Sequence, residues 1–164
     1  MSVLEILRKD NQKILAQLKT AEKFVRHFEK SSHLNLSKLS TIVDSILGYF
    51  TSNLYAREEA LFSNLKSVDS LSDKTQLLSE LEAEHKACHE LLKNINRQIQ
   101  PPINEVDLLK MRLVENLWTV IELRRRHIEK VQQRVYPMLE GYTPRSGPRR
   151  ARNLGLLQEL VNFP

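Results

Sequence analysis

The sequence predicts an all-α protein, an antiparallel up-down-up-down four-helix bundle with a C-terminal tail. Three observations carry this. The 164 residues include only 4 Gly and 6 Pro, and Pro144, Pro148 and Pro164 fall at the end of the chain, so few helix breakers interrupt what precedes them. Apolar residues recur at three- and four-residue spacing over four long stretches. Short polar or proline-containing breaks separate the stretches, which places successive helices side by side. A hydrophobic content of 41% with 27% charged residues is that of a soluble globular domain, and the length suffices for one core.

The first helix is expected from Val3 to Glu29, with Leu4, Leu7, Ile14, Leu18, Val25 and Phe28 on its apolar stripe. A polar break from Ser31 to Ser37 ends it. The second runs from Ser37 to Leu65 through Leu39, Val43, Ile46, Phe50, Leu54 and Leu61. Ser67 to Ser72 is the next break, and Asp73 suits the first turn of the third helix. That helix carries Leu78, Leu81, Leu92 and Ile95 and ends near Ile99, before the pair Pro101-Pro102. Asn104 is placed to cap the fourth, which reaches Leu139 through Leu109, Leu113, Leu117, Val120, Val131 and Val135. Residues 1–140 are read as this bundle and 141–164 as a tail. The tail opens with a Pro/Gly/Arg linker, GYTPRSGPRRAR, and continues as NLGLLQELVNFP, where Leu154, Leu156, Leu157, Leu160 and Val161 take helical spacing. A helix this short is marginal alone and needs a surface. It either covers its own bundle or docks on a partner protein, a second copy or an anionic membrane surface.

The net charge of +5 is concentrated in the tail, where Arg145, Arg149, Arg150 and Arg152 face only Glu159. The bundle is close to neutral, so nucleic-acid binding is not expected. No apolar run approaches the ~20 residues that span a bilayer. The N-terminus, MSVLEILRKDNQK, carries Glu5 within its apolar stretch and lacks a small-residue cleavage site, so no signal peptide is read. The single cysteine, Cys88, allows no internal disulfide and fits a reducing, cytoplasmic setting.

Four polar side chains break the apolar stripes: Glu58 on the second helix, His85 and His89 on the third and His127 on the fourth. Burying such groups is costly unless they are paired or bound to a metal. The spacing His85-x3-His89 puts two imidazoles one turn apart on one face, as two-point chelation requires. Together the four make a candidate site for one ion. His27 and His33 lie at the end of the first helix and in the break after it, and are read as solvated.

The segments that carry these residues resemble the hemerythrin-like (HHE cation-binding) family. YFTSNLYAREEALFSNL is similar to the family's second-helix signature, EAEHKACHELL to the third, and HIEKVQQRVYPML to the fourth, including its Tyr-Pro end. The resemblance covers roughly residues 4–139. It implies a four-helix bundle that typically holds two irons. The ligands are a first-helix His, a second-helix H-x3-E, a third-helix H-x3-H and a fourth-helix H-x4-D/E. By that pattern His85, His89 and His127 match the terminal ligands of one iron and Glu58 one bridging carboxylate. The other iron's ligand positions hold Asn11 and Leu54, and the second bridging position holds Gln132. The loss is confined to one of the two positions. Three nitrogens and a carboxylate suit a single iron or zinc ion. His127 and Gln132, five residues apart, reach one site only through a π-bulge or a wide groove. Arg124, one turn before His127, offers a metal-free solution in which its guanidinium pairs with Glu58.

The resemblance ties O₂ carriage to two electrons drawn from a metal pair. With ligands for one ion, the expected function is therefore a non-enzymatic protein with at most one bound metal and a sensing, metal-handling or structural role. A metal-free interaction module working through the tail is the alternative. A single-iron redox enzyme is the third reading, and no acid-base group beyond the ligands favours it.

Overall fold

The computed structural model describes residues 3–31, 33, 35–52, 54–67, 74–100 and 106–140, with the backbone alone at 3, 49–52 and 54. The elements are α1 (Val3–Lys30), α2 (Leu36–Ser52), α3 (Leu54–Lys66), α4 (Thr75–Gln98), α5 (Val106–Lys130), a π-helical turn (Val131–Val135) and α6 (Tyr136–Glu140). No strand occurs among the described residues. The expected helix 37–65 corresponds to two elements, α2 and α3, on either side of residue 53, which lies outside the described residues. The Asn104 cap, the start at Asp73 and the tail residues Leu154, Leu156, Leu157, Leu160 and Val161 lie outside them as well.

A 3-4-3-4 rhythm of buried residues explains the packing. In α1 it runs Leu7, Asn11, Ile14, Leu18, Ala21, Val25, Phe28; in α4 it runs Leu78, Leu81, His85, Cys88, Leu92, Ile95. In α5 it runs Leu113, Leu117, Val120, Arg124, His127 and on to Val131. These seams face one another: α4 packs on α5, α5 on α1, and α2 and α3 bridge α1 to α4. Polar contacts give the local directions. Lys110, early in α5, donates to the Glu29 carbonyl at the end of α1 at 3.0 Å, and Arg8, early in α1, pairs with Glu140. These two arms therefore run oppositely. No described helix is long and apolar enough to cross a membrane.

The π turn has a local cause. Pro137 has no N–H to offer the carbonyl of Gln133, and its ring crowds that carbonyl in a regular helix. The chain widens just before it, and the Tyr136 N–H donates five residues back to the Val131 carbonyl. Val135 and Tyr136 consequently both turn inward and are buried, while Gln132 is exposed. A route from Gln132 to the site is thus corrected: the π turn is present, but the side chain it delivers to the core is Tyr136.

Candidate metal centre

Six polar or charged residues are buried among the described residues: Asp10, Asn11, Glu58, His85, Arg124 and His127. Each falls on or beside a helix seam, so the packing that buries the apolar stripes carries them inward. Glu58 sits at the centre with no exposed surface. One of its oxygens, Oε2, lies 2.7 Å from His85 Nε2, 3.3 Å from an Arg124 guanidinium nitrogen and 3.4 Å from His127 Nε2. The two imidazole rings stand 4.3 Å apart. Tyr55 and Phe62 flank His85 at 4.8 and 5.8 Å between ring centres, and Phe62 also reaches His127 at 6.5 Å.

The structure brings three of the four expected ligands together. Glu58, His85 and His127 each offer a ligand atom, all within 4.8 Å of one another. His89 is not among them. The α4 seam continues from His85 through Cys88, which is 1% exposed. His89 is therefore set to the edge of the seam and half-buried, its ring edge-on to Tyr55 at 6.4 Å. Of the lost ligand positions, Asn11 is buried and its Nδ2 donates to the Tyr136 hydroxyl at 2.6 Å. Gln132 faces solvent, and Leu54 opens α3 with its side chain outside the described set. Arg124 is 1% exposed and reaches Glu58, as the metal-free solution requires.

The donor chemistry fits an ion. Nδ1 of His127 lies 3.1 Å from Glu84 Oε2, and a carboxylate can only accept, so Nδ1 carries the proton. In the neutral imidazole, Nε2 then presents a lone pair to Glu58 Oε2. Two acceptors facing each other across 3.4 Å call for a positive centre between them, a proton or a metal. A carboxylate behind a ligating histidine is the usual means of fixing its tautomer. Glu58 Oε1, His85 Nδ1 and His127 Nε2 are all buried without a hydrogen-bond partner among the described residues. Glu58, His85 and His127 would hold a metal, which would supply a positive partner to their ligand atoms, and Glu84 would orient His127.

Two residues of the site, Glu84 and Tyr136, are not singled out by the sequence. Glu84 sits one residue before His85, off the apolar seam and half-buried, where it also pairs with Lys130. Its signal is a charge beside a metal-type histidine on the flank that faces the next helix. The signal for Tyr136 is Pro137, which forces the π turn.

Electrostatics tie the site to pH. Burial alone would raise the Glu58 carboxyl, but the Arg124 charge and the adjacent His127 and His85 imidazoles outweigh it and hold the group well below its usual range. Burial pushes the His85 imidazole down, against the pull of Glu58. Burial also raises the Tyr136 phenol, with Glu58 adding to the effect. For both Glu58 and His85 the unfolded chain binds its proton more readily than the folded one. Their contribution to stability is therefore complete above the ordinary values of 4.5 and 6.5 and is lost as pH falls through the lower folded ones. Melting temperature in the presence of a chelator is expected to decline from pH 7 downward. A profile flat between pH 8 and 4 contradicts this assignment.

Against known proteins, the model of the hemerythrin HHE cation-binding domain matches residues 2–139. No curated protein and no solved structure matches the chain. With the match spanning all the described helices up to α6, and the buried carboxylate and imidazoles meeting in the core of that same stretch, this chain belongs to the hemerythrin HHE cation-binding family.

Proposed function

We propose that this protein is a non-enzymatic hemerythrin-like domain that binds at most one metal ion, iron or zinc, in a sensing, metal-handling or structural role. Glu58, His85 and His127 hold the ion. The observation that carries this reading is the convergence of Glu58, His85 and His127, whose ligand atoms lie within 4.8 Å of one another in the core, while Asn11 is bonded to Tyr136 and a guanidinium lies against Glu58. A site for one ion does not support the two-metal electron chemistry that O₂ carriage uses in this family. The four arms are taken to alternate up-down-up-down, and the setting to be cytoplasmic. Metal analysis of protein purified without an affinity tag is expected to find no more than one ion per chain. Two bound irons per chain contradict the proposal.

The second reading, a metal-free interaction module, is favoured by one contact: Arg124 already neutralises Glu58 without an ion. In either reading the segment around Leu154, Leu157 and Val161 is proposed as the docking element, reached through the arginine-rich linker.

A further inference from the structure

Three buried or half-buried carboxylates each have a basic partner. Glu58 has Arg124 at 3.3 Å, Asp10 has Arg57 at 2.8 Å, and Glu84 has Lys130. The histidines bring no negative charge. A divalent ion held by Glu58, His85 and His127 therefore shares its one carboxylate ligand, Glu58, with a fixed cation. Arg124 is the largest of the fully buried side chains among the described residues. Burial screens its charge from solvent poorly, so its repulsion of an ion is strong.

We propose that Arg124 is a resident cation that competes with the metal for Glu58 and sets the site's affinity low, so that the ion is exchangeable rather than permanent. Arg124 is here a positioning and specificity-determining residue, not a ligand. The inference rests on the single-ion reading and narrows it: a weak, exchangeable site suits metal handling or sensing and argues against a purely structural ion. It also explains how the Glu58 charge is balanced when no ion is bound, because the guanidinium then pairs with its Oε2.

The test is a zinc titration of the full chain against a chromophoric chelator, with Arg124→Gln and Arg124→Lys beside the wild type and folding checked by circular dichroism. Glutamine keeps a hydrogen bond to Glu58 without the charge; lysine keeps the charge. Zinc affinity is expected to rise at least about tenfold in Arg124→Gln at one ion per chain, and to stay within about threefold of wild type in Arg124→Lys. Adding His127→Ala to Arg124→Gln removes the gain. In melting experiments, chelator lowers the transition of Arg124→Gln after zinc loading more than that of the wild type. Equal zinc affinity in wild type and Arg124→Gln overturns the role of Arg124 and leaves the single-ion reading standing. A tenfold gain in Arg124→Lys as well overturns it too, since bulk rather than charge would be at work. Absence of zinc from all three proteins overturns both. If Arg124→Gln does not fold, Arg124→Met takes its place in the same titration: a tenfold gain supports the role of Arg124, and unchanged affinity overturns it.

Discussion

Glu58→Ala is expected to destabilise the protein by about 3–5 kcal/mol, because it strands the buried Arg124 charge without its carboxylate. Glu58 and Arg124 are 0% and 1% exposed at the side chain, so water cannot take over as partner. The same substitution removes the carboxylate oxygen that bonds His85 and faces His127. The effect belongs to a broken pair rather than to a strong one. Replacing both partners together, Glu58→Leu with Arg124→Met, is expected to return stability to within about 1 kcal/mol of wild type, since a buried ion pair and a packed apolar pair of similar volume are often close in energy. Urea denaturation of the two single variants and the double variant measures the coupling. A Glu58→Ala loss below about 0.5 kcal/mol, the range of surface substitutions, would show that the pair is not formed in solution.

Phe62→Ala is the second large effect. Phe62 has no exposed surface and stacks on His85 while reaching His127. Removing the ring leaves a cavity and costs about 3–5 kcal/mol. It also releases the wall that fixes both imidazoles, so zinc affinity is expected to fall together with stability. Phe62→Leu refills most of the space and is expected to cost roughly 1 kcal/mol with affinity largely kept. If Phe62→Ala leaves zinc affinity at the wild-type value in protein still folded, the ring does not position the ligands.

The residues behind these effects differ in how far the sequence reveals them. The seams of α1, α4 and α5 are legible because seven-residue spacing is a property of the chain itself. Glu58, His85, Arg124 and His127 are legible because each interrupts such a seam with a polar group. Sequence spacing also places His89 inward, by its four-residue distance from His85. Four residues advance a helix about 40° past a full turn, and Cys88, at three, lies closer to the seam that α4 follows. An i,i+4 histidine pair therefore fixes one member inward and leaves the other to the local packing. Tyr136 is hidden by the π turn, which shifts the inward register by one residue, and Gln132 stays exposed. Pro137 carries that information, but only through its effect on the carbonyl of Gln133. Glu84 lies off every seam, and only the approach of α5 gives it His127 and Lys130 as partners.

In the proposed single-ion centre, one cation position survives in the core and the other is closed by Asn11 and Arg124. Anomalous scattering distinguishes the two positions, using crystals of the full chain equilibrated with zinc and, separately, with ferrous iron under anaerobic conditions. One anomalous peak per chain is expected, bonded to Glu58, His85 and His127 at about 2.0–2.2 Å, with Arg124 still beside Glu58. Two peaks in the core, or none among these three side chains, would refute the single-ion centre.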